Sequence, residues 1–306
     1  MDERSLWGGR YAGWMGLLLQ SGYSPRLVDA SAPWSNADGL RVAILVTSGL
    51  LREEIAENIL NMAEEGVHLV VCPCWPRNDP SGRQGPCSRS LLERVLPLRS
   101  HGAWRHEVLE YQIDGERGEV RPKGPARVYE SVSHGDSFLW PRDKEGLVSG
   151  MRFSSARGEI FLMGTDLAKE YGSSQFEQMK AEERWRRRRF VRALMGACGA
   201  RPILDWQNMN VTAWCRRGAK GEAFLFATNV GGDASCAFRF LAPEHMGFQD
   251  EAVLSVRNLL EAEKDRTISG TALRREGVPL TLKRYGAAIV RIGPEFPEDT
   301  SEEIDS

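Results

Sequence analysis

The sequence predicts an α/β domain built on a parallel sheet, followed by a small antiparallel β-sandwich. The first prediction rests on two apolar runs, at 40–46 and 66–74, which an amphipathic segment at 51–65 separates. A strand, a helix and a strand within about 30 residues form a βαβ unit, whose sheet is parallel and covered on both faces. The second prediction rests on short apolar runs beyond residue 203, which turn residues separate at near-regular intervals.

The segment at 51–65 has the clearest helical pattern of this βαβ unit. Ile55 and Ile59 belong to an apolar series at helical spacing among glutamates. Gly66 follows the last helical residue, where a glycine commonly ends a helix. Ligands of open α/β sheets bind beyond the carboxyl ends of the strands. We therefore expect any chemistry of the first domain to gather at 72–79.

The other elements of the first domain follow from periodicity and turn residues. The sequence predicts a helix at 11–20, a strand at 23–29, short strands and turns at 105–130, a hairpin at 147–164 and a helix at 177–198. The predicted domains are 1–202 for the α/β part and 203–293 for the β-sandwich. The remaining segment, 294–306, is acidic, and we expect it to be disordered.

The totals describe an ordinary globular chain. It has 306 residues, with 40 basic and 42 acidic side chains and a net charge of −2. Such a balance gives no overall field that favours nucleic acid or an anionic membrane. No apolar run approaches the roughly 20 residues that span a bilayer. The first residues show no signal-peptide pattern, so we expect a cytoplasmic protein.

The six cysteines have no metal-ligand spacing. Cys72 and Cys74 lie two residues apart, and no second pair follows them. We predict reduced structural thiols, without metal or cofactor. A nucleophilic cysteine is the alternative, but such an elbow needs Gly-x-Cys-x-Gly geometry. Here Pro73 separates the cysteines and no flanking glycine is present.

No pair of carboxylates stands out as a glycosidase site. Retaining enzymes need two carboxyl groups about 5 Å apart, and inverting enzymes need a wider pair. Asp79, Asp136, Asp143 and Asp166 all lie in predicted loops, and Asp166 fits a turn or helix cap. We therefore identify no catalytic residue in this chain.

Residues 184–189, Arg-Trp-Arg-Arg-Arg-Arg, suggest a nucleic-acid patch at first sight. We favour a solvated or intersubunit helix, because glutamates stand three or four residues away and apolar residues recur along it. The glutamates are Glu177, Glu182 and Glu183. The apolar residues, which we place on one face, are Trp185, Phe190, Leu194 and Ala197.

Several segments together resemble a known arrangement. The first are the helix and following Val-Asp at 11–29, the strand at 40–46, and the helix, strand and loop at 51–79, where the family's loop reads Pro-Arg-x-x-x-Asp. The others are the hairpin at 156–165, the linker Gly199-Ala200-Arg201-Pro202 and the strand from Phe224 to Asn229. In this order they resemble the non-catalytic half of β-galactosidases of glycoside hydrolase family 42, and of related family 35-like enzymes. One departure is that no strand precedes the first helix.

The resemblance implies a flavodoxin-like, class I glutamine-amidotransferase-like trimerisation domain, followed by a C-terminal β-sandwich. It also implies a non-catalytic accessory or oligomerisation role, because the catalytic (β/α)8 barrel of that family is absent from these residues. The expected partners are further copies of the chain or a glycoside hydrolase barrel, with a galactoside as ligand. Neither nucleic acid nor membrane is expected.

Three residues are candidates for the rim of a sugar site on an attached or neighbouring subunit. Trp75 offers an aromatic face for a pyranose ring, while Arg77 and Asp79 can bond hydroxyl groups. Loops of this composition also serve as subunit contacts. Two other functions stay open: a stand-alone carbohydrate-binding accessory protein that uses the sandwich and its tryptophans, and an active amidotransferase-like hydrolase that uses Cys72 or Cys74.

Overall fold

The structure is a computed structural model that describes residues 3–28, 39–46, 53–72, 100–130, 135–143, 145–172, 178–261 and 265–294. Contacts divide the chain into two compact units. Unit 1 comprises Met1–Leu17 and Arg26–Arg201, and unit 2 comprises Leu18–Pro25 and Pro202–Ser306. The predicted acidic tail lies outside the described residues, apart from Pro294.

Unit 1 is mixed α/β. Its helices are α1 (Glu3–Gln20, whose last turn lies in unit 2), α2 (Glu53–Glu64) and α3 (Ala181–Ala197), with a short 3₁₀ helix at Lys169–Gly172. Its strands are β1 (Val42–Val46), β2 (His68–Cys72), β3 (Ser100–Trp104), β4 (Leu109–Ile113), β5 (Glu116–Val120), β6 (Ala126–Glu130), β7 (Asp136–Pro141), β8 (Leu147–Val148), β9 (Gly150–Ser154) and β10 (Glu159–Met163).

The main sheet of unit 1 has seven strands in the order β1-β2-β10-β9-β7-β4-β5. Among the described strands of this sheet, only β1, β2 and β10 pair in parallel, and the other four pairings are antiparallel. The predicted parallel sheet therefore accounts for three strands of the seven. Short turns explain the antiparallel pairs β4–β5 and β9–β10, whereas the parallel pairs β1–β2 and β2–β10 are joined by long crossovers.

The βαβ unit forms as the sequence predicts. β1 and β2 pair in parallel from Val42 opposite His68 to Val46 opposite Cys72. Gly66 ends α2 with a φ of +107°, and the amide of Val67 donates to the Met62 carbonyl at 2.9 Å. The apolar side of α2 packs onto a core of sheet residues that includes Leu69, Val71, Met151, Phe153, Ile160 and Leu162.

Helix α3 covers the antiparallel end of the same sheet. The ring of Phe190 in α3 lies edge-on to that of Tyr111 in β4, with centroids 5.1 Å apart. Alternation along β4 directs Tyr111 to this helix and its neighbours Glu110 and Gln112 to the opposite face. That opposite face of β4 and β5 carries polar side chains.

The predicted strand at 23–29 is absent from its described part, residues 23–28. Residues 23–25 belong to unit 2, and they bond within it. The Ser24 hydroxyl donates to the Cys215 carbonyl at 3.0 Å and accepts from the Cys215 amide at 3.2 Å. The Arg216 guanidinium donates to the carbonyls of Ser24 and Pro25. Because these groups bond outside the main sheet, the apolar residues here do not join it.

Unit 2 contains two antiparallel sheets, of three and five strands, in the orders β11-β14-β17 and β12-β13-β18-β15-β16. The strands are β11 (Leu204–Asp205), β12 (Val211–Arg217), β13 (Ala223–Asn229), β14 (Ala234–Phe240), β15 (Val253–Asn258), β16 (Arg266–Ser269), β17 (Val278–Leu282) and β18 (Ala287–Gly293), with a short helix α4 (Gly270–Arg275) and a 3₁₀ helix at Pro243–Met246. One buried core draws on both sheets, with Trp206, Leu225, Phe238, Phe240, Leu254, Leu280 and Val290 among its members.

The buried side chain of Asn229, at the end of β13, holds two loops of unit 2 together. Its amide nitrogen donates to the carbonyls of Gly232, Leu282 and Lys283, and its oxygen accepts from the amide of Gly231. The strand from Phe224 to Asn229, which carries part of the family resemblance, thus ends in a structural residue.

Candidate functional site

The predicted sugar-site rim lies outside the described residues. Trp75, Arg77 and Asp79 all fall within 73–99, as does Cys74. Their role therefore stays a prediction.

Cys72, at the end of β2, is a buried thiol. Its side chain is fully buried, and its sulfur lies 3.7 Å from that of Met163. Burial raises the pKa of the Cys72 thiol well above its usual value, and the nearby Asp166 carboxylate raises it further. A nucleophilic cysteine needs the opposite, a lowered pKa and access to substrate. The arrangement therefore fits the structural interpretation of Cys72.

Two of the aspartates considered as catalytic candidates, Asp143 and Asp166, make separate local contacts, and Asp79 lies outside the described residues. Asp166 accepts from the amide of Ala168, which is the turn role that the sequence predicts. Asp143 lies 2.7 Å from Nδ1 of the buried His106, while Asp136 is an exposed residue at the start of β7. Within the described ranges, no group of three or more His, Cys, Asp or Glu side chains is placed to hold a metal ion.

The arginine-rich helix α3 is partly buried within unit 1, which corrects the solvated alternative and the predicted apolar face; the intersubunit alternative stays a prediction. Arg184, Arg187 and Arg188 are buried, whereas Trp185 is 39% exposed. Helical geometry explains the difference: residues three and four apart share a face, and Trp185 is five residues from Phe190, on another side. The predicted pairing of arginines with glutamates is confirmed for Arg186 with Glu182 and for Arg187 with Glu183.

Arg187 is bound on all sides inside unit 1. Its Nη1 donates to Glu170 and to the Leu167 carbonyl, both at 2.5 Å, and its Nη2 donates to the Arg121 carbonyl at 3.0 Å. Its Nε donates to Glu183 at 3.0 Å. The buried guanidinium therefore joins α3 to the 3₁₀ helix and to the segment after β5, so it is a structural group and is not available to bind nucleic acid.

A cavity of about 450 Å³ opens on the face of β4, β5 and β7 that α3 does not cover. We call it the Trp140 cavity; its lining residues are Glu110, Tyr111, Gln112, Arg117, Gly118, Glu119, Trp140 and Arg142. Strand register explains why they converge. Glu110 stands opposite Glu119 on one side and Trp140 on the other, and Gln112 stands opposite Arg117.

Two glutamates that face each other across strands repel, and a guanidinium in the cavity compensates for this. Arg142 donates from Nε to Glu110 at 2.6 Å and from Nη2 to Glu119 at 2.8 Å. Glu119 also pairs with Arg186 of α3 at 2.5 Å. The hydrogen bond from Arg142, with the charge of Arg186, lowers the pKa of Glu119. These groups can bind and orient a ligand, but Glu119 is a poor proton donor.

The sequence predicts short strands in this region but does not identify the cavity. The alternation of Leu109 to Ile113, with polar residues at the second and fourth positions, indicates a strand with one polar face. The pairing with Trp140 and Arg142, about 30 residues further along the chain, depends on register. No local pattern specifies that register.

Three solved structures illustrate what this fold is similar to. A β-galactosidase from Bacillus circulans sp. alkalophilus aligns with a TM-score of 0.61 at 14% identity, over 91% of this chain and 36% of its own. A cold-adapted β-galactosidase from Rahnella sp. R3 aligns with a TM-score of 0.61 at 12% identity, over 92% of this chain and 36% of its own. The GH42 β-galactosidase Gan42B aligns with a TM-score of 0.60 at 12% identity, over 92% of this chain and 35% of its own.

The likeness is one of fold, since the identities are low. This chain spans about a third of the length of those galactosidases. No family model matches the sequence, and no curated protein matches it. Among the described helices, none is long and apolar enough to cross a membrane.

Proposed function

We propose that this chain is a non-catalytic accessory and oligomerisation portion of a β-galactosidase-like glycoside hydrolase, without the catalytic (β/α)8 barrel. One observation supports the proposal most. The fold likeness takes in 91–92% of this chain but only 35–36% of each galactosidase. The chain therefore has the fold of about one third of such an enzyme.

Within this proposal, unit 1 is a flavodoxin-like, amidotransferase-like domain whose parallel core is reduced to three strands. The βαβ unit of β1, α2 and β2, with β10 in parallel beside β2, supports this assignment. The antiparallel strands β9, β7, β4 and β5 then widen the sheet beyond β10. Unit 2 is the accompanying sandwich.

The chemistry of the described side chains agrees with a non-catalytic role. Glycoside hydrolysis needs a carboxylic acid of raised pKa beside a second carboxylate. In the Trp140 cavity, Glu110 and Glu119 are instead bridged by Arg142, and the pKa of Glu119 is lowered. An amidotransferase-like reaction would need an accessible thiolate, and the thiol of Cys72 is buried with a raised pKa.

We infer that such a chain contributes subunit contacts, either among its own copies or with a glycoside hydrolase barrel. The test combines two measurements on the purified chain of 34.2 kDa. Sedimentation equilibrium at several concentrations should give a mass that is a multiple of the chain mass. Hydrolysis of o-nitrophenyl β-D-galactopyranoside should stay at the rate without protein.

Each measurement has a control. Buffer without protein and a heated sample give the background rate, and a Glu110→Gln variant separates a contaminant from real activity. A monomeric mass at every concentration removes the support for self-assembly. Hydrolysis that the wild type catalyses and Glu110→Gln does not would overturn the non-catalytic assignment.

A further inference from the structure

We propose that the Trp140 cavity is a binding site for a neutral pyranoside, with one sugar ring against the indole of Trp140. Its volume of about 450 Å³ falls within the range of about 300–1,000 Å³ that is common for small-molecule sites. The inference rests on this cavity alone and does not require the assembly role proposed above.

Trp140 supplies an aromatic surface in a fixed orientation. It is half-buried, because it packs against the core that α2 and the sheet share, and it also lines the cavity. The C–H groups of a pyranose form an apolar face that can lie on such a ring. A ring that the core already holds loses little conformational entropy when a ligand binds.

The cavity also has polar groups for hydroxyls, which both donate and accept hydrogen bonds. Gln112 offers a donor and an acceptor, and Arg117 offers donors, on paired positions of β4 and β5. Neither side chain is hydrogen-bonded or ion-paired to another residue in the part of the chain that the structure describes. Glu110 uses one oxygen for Arg142, which leaves its second oxygen to accept from a hydroxyl.

The balance of charge favours a neutral ligand over an ion. The lining carries two carboxylates, Glu110 and Glu119, and two guanidinium groups, Arg117 and Arg142. Arg142 donates to both glutamates, so most of the charge in the lining is already neutralised by contacts within it. A cation would have to disrupt these contacts of Arg142, and a phosphate would meet one unbridged guanidinium, that of Arg117, in a lining that also carries two carboxylates. A polyol can instead add hydrogen bonds to the outer atoms of all these groups.

The experiment is a titration of the full chain with methyl β-D-galactopyranoside and, in parallel, with methyl β-D-glucopyranoside. Isothermal titration calorimetry and saturation-transfer NMR measure the binding. For a ligand of this size we expect saturable binding of one or both sugars with a Kd of about 1 mM. The two sugars differ only in the configuration of one hydroxyl. The ratio of their Kd values therefore reports whether the polar groups of the cavity discriminate between them.

Trp140→Ala should weaken binding about tenfold. Because Trp140 also packs against the core, substitutions of two exposed residues, Gln112→Ala and Arg117→Ala, provide a second test. Each should weaken binding severalfold. The far-UV circular dichroism spectrum and the melting temperature should stay as in wild type. Trp214→Ala is the matched control: this tryptophan of unit 2 is stacked on Phe226 with centroids 5.3 Å apart, and its loss should leave affinity as in wild type.

Two results would overturn the site. One is the absence of saturable binding of either sugar at about ten times the expected Kd. The other is binding that Trp214→Ala removes while Trp140→Ala, Gln112→Ala and Arg117→Ala retain it, because the sugar would then bind to the sandwich. Binding that inorganic phosphate displaces competitively would also contradict the preference for a neutral ligand.

Discussion

At the scale of single residues, the structure assigns structural roles to several groups that sequence patterns draw attention to. The thiol of Cys72 is buried against Met163, and the amide of Asn229 holds two loops. Gly66 takes a φ of +107°, a conformation that side-chain-bearing residues rarely adopt. The functional candidates are instead residues such as Gln112 and Arg117, which have no distinctive local motif.

Gly66→Val should therefore lower the free energy of unfolding by about 1–3 kcal/mol, because a β-branched residue is strained at this positive φ. Urea denaturation measures the change. Gly196→Ala is the control: Gly196 lies inside α3 with open space where an alanine Cβ would lie, so alanine should stabilise the chain by about 0.5–1 kcal/mol. Equal stability of Gly66→Val and wild type would contradict the strain argument.

At the scale of elements, α3 shows how one helix can carry charge into a core. Its buried side includes Arg187 and Phe190 together. Phe190 packs on Tyr111 of the sheet, while Arg187 bonds Glu170, Glu183 and two carbonyls. A buried guanidinium is tolerated only with such complete pairing, so the helix has one favoured position over the sheet.

Arg187→Ala should cost about 3–5 kcal/mol of unfolding free energy, because it removes the guanidinium that pairs with the buried carboxylate of Glu170. Thermal and urea unfolding of the variant test this. On the same helix, Arg189 is exposed and lies 3.9 Å from Glu116, so Arg189→Ala should change stability by less than about 0.5 kcal/mol. The double variant Arg187→Met/Glu170→Leu should recover part of the loss, because it removes both charges of the buried pair while the carbonyls of Leu167 and Arg121 still lose their donor. If Arg187→Ala changed the free energy of unfolding as little as Arg189→Ala, the buried pair of Arg187 and Glu170 would not be needed for stability.

At the scale of the whole molecule, each unit has its own core, and buried thiols lie in both. Cys198 belongs to unit 1 and Cys215 to unit 2. Burial raises the pKa of Cys198 to about 12, with a further contribution from the Glu159 carboxylate. Burial likewise raises the pKa of Cys215 to about 12. In the unfolded chain both thiols have an ordinary pKa, near 9.

Stability should consequently fall in alkali. Above pH 9 the unfolded chain releases thiol protons that the folded chain retains, so the stabilisation is fully present below pH 9 and is lost as the pH rises towards 12. Between pH 9 and pH 12, each such thiol lowers the free energy of unfolding by about 1.4 kcal/mol per pH unit. Urea unfolding under reducing conditions at several pH values measures it. Cys198→Ala should reduce the slope by one thiol's share, and an unchanged slope would contradict the assignment.

The sequence by itself determined the local elements: the βαβ unit, the glycine that ends α2, the hairpin of β9 and β10, and the strands of the sandwich. These depend on spacing and on residues a few positions apart, which a sequence displays directly. Only the tertiary structure decided that the sheet is antiparallel beyond β10, that α3 buries Arg187, and that Trp140, Gln112 and Arg117 line one cavity. Those features depend on register and burial between distant segments, and such pairings are set by the packing of the whole core.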